Sequence, residues 1–302
     1  MTPIAIVFGA PFIQTAAIAL AMLAVVVAAV GVALNLRGLE FVSDGLVHAV
    51  FPGIVIGFIL GGGERIYIGA AIAALIATVL LTLAARKGTG TDAATAVMLA
   101  GTFALGIVIV SRTTRYSTGL EQLLFGQLLT INSHDLIYIA VLGGIAIALV
   151  GTTWKMQTFI SFDRQGAIAS GVSVLRYELI LNIAIAIVVV AASRAVGNLL
   201  VLALLIVPAA IGRCISRDIR VILVVALFSA LLGSFAGLLG GYWLSVDAEL
   251  SVSPSAVLVL ALVAVYFIVA IATTLVRAPW RARQQRQRGQ VDAAADTEAV
   301  AA

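Results

Sequence analysis

The sequence predicts an all-α polytopic membrane protein with about nine transmembrane helices. Of its 302 residues, 62% are hydrophobic and 11% are charged, with a mean hydropathy of +1.17. An ordinary soluble domain is about half apolar and about a quarter charged. Apolar runs of membrane-spanning length recur along the chain, and the basic residues segregate between alternate loops. The bilayer is therefore the solvent of this fold.

Nine apolar stretches are long enough to be candidate spans, since a hydrocarbon core about 30 Å thick requires roughly 20 apolar residues per helix. The predicted spans are 11–34, 44–62, 66–85, 91–111, 135–153, 177–194, 198–213, 221–244 and 254–276. The stretch 116–134 is partly apolar but contains Glu121, Gln122 and Gln127. We expect a short interfacial or re-entrant helix there. Together these segments form one transmembrane domain, 1–276.

The distribution of basic residues predicts the orientation, because cytoplasmic loops of membrane proteins are rich in Lys and Arg. With the N-terminus outside and nine spans, fourteen of the eighteen basic residues lie inside. The outer segments hold only Arg65, Arg112, Arg115 and Arg194. Topology thus accounts for the net charge of +4, and no nucleic-acid partner is expected. The first ten residues contain no Lys or Arg, so we expect no cleaved signal peptide.

The segment 277–302 differs in composition from everything before it. Its first half is rich in Arg and Gln, and its second half is small and acidic. Neither half has enough apolar residues to form a core, so we expect a disordered cytoplasmic tail. Its basic run is expected to contact anionic membrane lipid, with protein binding as the alternative.

One polar cluster falls inside an apolar stretch. Glu40, Asp44 and His48 are spaced four residues apart, which places them on one face of a helix. Ionisable residues within a span are costly and therefore suggest function. Carboxylate and imidazole suit a first-row divalent metal such as manganese, iron or zinc. A mutual hydrogen bond between Asp44 and His48, or a proton relay, would explain the same spacing. An interfacial position would explain Glu40, which lies nearer the cytoplasmic end.

Other polar residues near span ends offer weaker indications. His134 and Asp135 lie at the outer end of the fifth span, where an interfacial role or a contact with an entering ion would fit. Arg194 and Asn198 flank a short outer turn and are candidate gate residues, although snorkelling and helix capping would also explain them. Pro208, inside the seventh span, removes a backbone hydrogen bond and should kink that helix. It is a further gate candidate, although kinks are common in membrane helices and architecture alone would explain it.

Two stripes of glycine recur at helical spacing. One comprises Gly53, Gly57 and Gly61, and the other comprises Gly233, Gly237 and Gly241. Small residues at every fourth position let membrane helices approach closely, so we expect packing faces. A bend or a moving interface is the alternative reading.

The sequence offers no catalytic motif. It contains no GxxxxGK[ST] phosphate-binding loop, no GxSxG, no HExxH and no CxxC. A single cysteine, Cys214, excludes an internal disulfide framework. We therefore expect a protein that is not an enzyme.

Three segments of the chain carry a family resemblance, namely SDGLVHAVFPG, LLFGQLLTINSHDL and VGNLLVLALLIVPAAIGR. They resemble the membrane permease of metal-type ABC importers, which carry manganese, zinc or iron. Residues 43–53 (SDGLVHAVFPG) are similar to that family's GDAxSHAxxPG and retain Asp44 and His48. LLFGQLLTINSHDL resembles its YLFGxxL…DL segment, and VGNLLVLALLIVPAAIGR resembles its VGxLLVxALLIxPAAxAR segment. The resemblance runs from about residue 11 to 276.

A fourth segment, FDRQGAIASGV at 162–172, is similar to the family's cytoplasmic FDxExAxAxGV. Asp163, Ala167 and Gly171 match, while Gln165 replaces an acidic residue. The resemblance implies that these four residues belong to a coupling helix that meets the ATPase. The orientation derived from basic residues independently places this loop inside.

The resemblance implies a vitamin B12 importer-like bundle in the prokaryotic cell membrane. Its expected partners are a second permease copy, identical or not, a separate ATP-hydrolysing subunit and a metal-binding extracytoplasmic lipoprotein. The divalent metal is the substrate, and no permanently bound cofactor is expected. The alternatives are a siderophore, haem or cobalamin permease, a proton-coupled secondary transporter, or a membrane scaffold without transport.

Overall fold

The computed structural model describes residues 10–61, 65–84, 91–112, 126, 128–246 and 253–276. Over these ranges the chain forms ten α-helices and one 3₁₀ turn, Leu128–Thr130. The helices are α1 Pro11–Arg37, α2 Glu40–Gly61, α3 Arg65–Ala84, α4 Thr91–Ser111, α5 Ser133–Phe162, α6 Arg164–Ala169, α7 Val174–Val196, α8 Asn198–Ile215, α9 Ile219–Val246 and α10 Pro254–Val276. The all-α prediction is confirmed.

Eight of these helices are long and apolar enough to cross a membrane, namely α1, α2, α3, α4, α5, α7, α9 and α10. The ninth apolar helix of the described chain, α8, is shorter. The prediction of about nine spans therefore agrees with the structure, with α8 as the short member. The predicted re-entrant segment 116–134 lies largely outside the described residues, as does the tail 277–302.

The fifth span is longer than predicted. The sequence places its end near residue 153, whereas α5 continues to Phe162. Lys155 and Gln157 lower the local hydropathy, and this made the span look shorter. Gln157 is nevertheless buried, and its Nε2 donates a hydrogen bond of 2.8 Å to the carbonyl of Tyr177 on α7. A tertiary contact thus extends the helix beyond its apolar part.

Helix α1 lies at the centre of the bundle. It packs against α5, α7, α8 and α9, and most of its length is buried. Its contact with α8 is especially close, because a side chain added at Gly31 would collide with the carbonyl oxygen of Leu205. The site helix α2 lies beside this centre and packs mainly against α3 and α4.

Both glycine stripes are packing faces, as predicted. A Cβ added at Gly53 would collide with the carbonyl oxygen of Gly69, so α2 and α3 meet backbone to backbone. On the second stripe, a Cβ at Gly237 would collide with the backbone of Leu258, so α9 packs closely on α10. These close approaches fix α2 and α10 against their neighbours.

Gly126 contacts the α7–α8 junction, which lies between the predicted gate residues Arg194 and Asn198. Gly126, with φ of 76°, lies against the α7–α8 junction at Gly197, whose φ is 92°. A Cβ at Gly126 would collide with the backbone of Val196 and Gly197. Gly126 and the α7–α8 junction, which are distant in sequence, are therefore in direct backbone contact.

Candidate metal site

The turn before α2 fixes where the site helix begins. Gly38 adopts a left-handed conformation, with φ of 63°, and its N–H donates to the carbonyl of Asn35 at 3.3 Å. Leu39 N–H donates to the carbonyl of Leu34 at 3.2 Å, which completes the cap of α1. Helix α2 then starts at Glu40, so only two residues separate the two helices.

Asp44 and His48 lie together on α2. His48 Nε2 is 3.4 Å from Asp44 Oδ1, and their side chains are 16% and 26% exposed, respectively. This separation is long for a hydrogen bond to a carboxylate. In the described part of the chain, the buried Nδ1 atom of His48 has no hydrogen-bond partner. The two side chains thus face each other while retaining capacity for a further ligand.

Helix α4 covers this pair from one side. The ring of Phe103 meets the His48 imidazole edge to face, with centroids 5.1 Å apart and an interplanar angle of 84°. Gly45 allows the approach, because a Cβ there would come within 2.5 Å of the buried Thr95 side chain. The aromatic contact restricts the orientation of the imidazole.

Glu40 is not brought to the pair. Its Oε1 accepts a hydrogen bond of 2.7 Å from Asn35 Nδ2. Arg213 Nη1 in turn donates to Asn35 Oδ1 at 2.8 Å and to Asn35 O at 3.0 Å. Within the described ranges, no group of three His, Cys, Asp or Glu residues is arranged to hold a metal. The chain itself therefore brings together two of the three predicted ligands.

Asp135 is a helix cap. It forms a capping box with Asn132, in which each backbone N–H donates to the other residue's side chain at 3.0–3.1 Å. Tyr67 Oη also donates to Asp135 Oδ1 at 3.0 Å, and Asp135 is buried. These three bonds favour a structural role over contact with an entering ion. Its neighbour His134 is exposed.

The segment 162–172 contains a short helix, α6, that is capped at both ends. Asp163 Oδ1 accepts from Gly166 N–H at 2.7 Å and caps the start of α6. At the other end Gly171 has φ of 78°, and Val172 N–H donates to the carbonyl of Ala167 at 3.0 Å, which is a Schellman motif. Ala167 is fully buried, whereas the predicted coupling residues Asp163, Gln165 and Gly171 are exposed.

The three gate candidates lie on two consecutive helices. Arg194 belongs to the last turn of α7, and Asn198 is the first residue of α8; their side chains lie outside the described part. Pro208 is inside α8 and buried. A gating role for these residues remains a prediction.

A cavity of about 250 Å³ lies between α3, α5 and α7. Its wall is apolar apart from Thr78, whose hydroxyl donates to the carbonyl of Ala74 at 2.8 Å. Apart from this one hydroxyl, the side chains that line the cavity in the described part of the chain offer no oxygen, nitrogen or sulfur ligand to a cation. The Asp44–His48 pair is therefore the better candidate site.

Phe103 and Asn35 are residues of the site region that sequence reasoning missed. Phe103 is one apolar residue among many in its span, and Asn35 stands at a helix end where polar residues are common. Nothing local to either residue indicates the contact that it makes. The fold and the half-buried Asp–His pair inside an apolar helix together indicate a polytopic membrane protein of the transporter class.

The chain matches the ABC 3 transport family over residues 9–273, and it belongs to that family. It is 33% identical to the manganese import system permease protein ScaB of Streptococcus gordonii over 247 residues, 80% of this chain and 86% of that protein. It is 31% identical to the zinc transport system membrane protein TroC of Treponema pallidum over 233 residues, 74% of this chain and 77% of that protein.

The fold is also similar to a solved structure. The structure of PsaBC from Streptococcus pneumoniae in complex with Fab superimposes with a TM-score of 0.75 at 28% identity. The match covers 86% of this chain and 91% of that chain. The bundle is thus an ABC permease fold, as the sequence resemblance implies.

Proposed function

We propose that this protein is the permease subunit of an ABC importer and that it carries a divalent first-row metal such as manganese or zinc across the cell membrane. The observation that supports this most directly is the Asp44–His48 pair inside the apolar helix α2. Relatives whose names specify manganese or zinc transport support the same substrate class.

The chemistry of the pair suits a transported ion. A carboxylate oxygen and an imidazole nitrogen bind manganese, iron and zinc, while the absence of thiolate in the pair disfavours softer metals. Two protein ligands are fewer than the four to six that these metals take. We infer that water or a second permease copy completes the shell. An incomplete shell also lets the ion leave.

The remaining parts of the importer are assigned to partner chains. A separate ATPase would dock on α6, where Ile168 is an exposed apolar residue, and on the adjoining end of α5, where Phe162 is also exposed. An extracytoplasmic lipoprotein would deliver the metal at the opposite end, near the α7–α8 junction that carries Arg194 and Asn198. ATP hydrolysis would then occur on the partner, and this chain would supply the path.

Reconstitution tests the function. The permease, its ATPase and its binding protein are placed in proteoliposomes, and uptake of Mn²⁺, Zn²⁺, Fe²⁺ and a ferric siderophore is measured with and without ATP. We expect ATP-dependent uptake of a divalent ion only when the binding protein is present. Uptake of the siderophore alone, or uptake driven by a proton gradient without ATP, would contradict the proposal.

We propose an external N-terminus and a cytoplasmic C-terminus from the fourteen-to-four division of basic residues. In a Cys214→Ser background, cysteines placed at Ser251 and Ala293 should react with an impermeant thiol reagent from opposite sides. Ser251 should label in intact cells, and Ala293 only after the membrane is opened. Labelling of both from one side would rule out this orientation.

A further inference from the structure

The end of α1 holds a charged network that the sequence did not predict. Arg37 Nη2 lies 3.2 Å from Glu178 Oε1 on α7, and Arg164 Nη1 of α6 lies 2.5 Å from the same oxygen. Arg37 Nη1 also donates to Gln157 Oε1 on α5 at 3.0 Å. The side chains of Arg37 and Glu178 are only 4% and 19% exposed. Glu178 thus joins α1 to α6, the proposed ATPase-docking helix.

The same end of α1 is joined to the site helix. Asn35, two residues before Arg37, donates to Glu40 at the start of α2. It also accepts from Arg213 near the end of α8. The amide of Asn35 therefore links the carboxylate of Glu40 to the guanidinium of Arg213, and it is itself buried.

The path from α6 to the proposed ion site begins with Arg164, whose side chain is 60% exposed, and continues through the largely buried Glu178 and Arg37. Arg37 and Glu40 are separated by the two-residue turn that Gly38 fixes. Along α2, Asp44 lies about 6 Å beyond Glu40 and His48 about 12 Å beyond it, at a rise of 1.5 Å per residue. A shift of α6 against the bundle would act on Glu178, then on the end of α1, and then on α2. Because the Arg37 side chain is almost fully buried, separating it from Glu178 would leave an unpaired buried charge and would cost free energy.

We propose that Asn35, Arg37 and Glu178 are positioning residues that transmit movement of the docking helix α6 to the helix that carries Asp44 and His48. This inference rests on the proposed function, since it assigns these residues to the coupling of ATP hydrolysis with release of the ion. They touch neither the metal nor the nucleotide, and their role is to keep α1, α2, α6 and α7 moving together.

The test compares Glu178→Gln with Arg176→Gln in the complete reconstituted transporter. Arg176 is an exposed residue two positions earlier on α7 and serves as the matched control. Metal transported per ATP hydrolysed should fall on the order of tenfold for Glu178→Gln, within the range of coupling between distant sites. Mn²⁺ binding to the complex, followed by electron paramagnetic resonance, should be unchanged. Arg176→Gln should behave as wild type in both measurements.

Two further variants guard against a trivial loss of folding. Glu178→Asp retains the charge and should restore most of the coupling, whereas Asn35→Ala removes the link to α2 without leaving a lone buried charge and should uncouple the transporter. Wild-type transport per ATP in both Glu178→Gln and Asn35→Ala would overturn the inference. A second result would also overturn it. If ATPase activity and transport both fell in proportion to the amount of assembled complex, the residues would have a structural role only. A wild-type complex that carries no metal would instead overturn the proposed function, and this inference with it.

Discussion

Glu40 and Asp44 are carboxylates one turn apart on the same helix, yet their surroundings differ. Glu40 accepts a hydrogen bond from Asn35 and is linked through it to Arg213. Asp44 faces His48 at 3.4 Å and remains partly exposed. A carboxylate already held by protein donors has less capacity for an ion than one that is not. Availability for metal binding thus depends on the partners of a residue, and spacing along the helix does not determine it.

The largest expected effect concerns the pair itself. Asp44→Asn and His48→Ala should each abolish metal uptake, because each removes one of the two protein ligands that we propose for the ion. Expression, membrane insertion and dimer formation should be unaffected. Uptake of ⁵⁴Mn or ⁶⁵Zn by reconstituted transporter measures the effect. Wild-type rates in both variants would mean that the pair is structural and that our site assignment is wrong.

The next effect concerns the close contact between α2 and α3 at Gly53 and Gly69. Gly53→Leu would push α2 away from α3, since its Cβ would collide with the Gly69 backbone. Overpacking costs about 1–3 kcal/mol, and more where backbone must move. We expect a lower thermal unfolding temperature in detergent and weak uptake. Gly101→Leu, where a Cβ meets open space, is the control, and an equal loss of stability in both would refute the packing role.

A smaller effect is expected at Phe103, whose ring packs on the His48 imidazole. Phe103→Leu would remove the edge-to-face contact with His48, and such contacts contribute about 0.5–1.5 kcal/mol. Metal affinity should therefore weaken by about two- to thirteenfold, with uptake still detectable. Titration of Mn²⁺ by calorimetry provides the measurement. Complete loss of binding would indicate that Phe103 shapes the site far more than this one contact implies.

The smallest effect should come from Glu40→Gln. The amide oxygen can still accept from Asn35, so the link that contributes about 0.5–1.5 kcal/mol is retained. Mn²⁺ affinity in the same titration should stay within about threefold of wild type. A loss as large as that of Asp44→Asn would show that Glu40 is a ligand after all, and the contrast between the two carboxylates would disappear.

Local patterns in the sequence account for the helices and for the Asp44–His48 pair. Apolar run length predicts spans, and a four-residue spacing predicts a shared helix face. The partners of these residues could not be predicted in the same way. Arg213 lies 178 residues from Asn35, and Glu178 lies 141 residues from Arg37. Such contacts depend on how the helices pack, and no short segment of sequence records this.

The glycine stripe on α9 has a consequence for biogenesis. Little of α10 is buried within the described bundle, and the stripe seats it closely on α9, its predecessor in the chain. A helix that pairs with its immediate predecessor can pack against that helix as soon as it enters the membrane. The earlier helices do not have to rearrange. Assembly of this bundle can therefore finish with local packing of α10 on α9. The central α1, in contrast, packs against helices that are synthesised much later than itself.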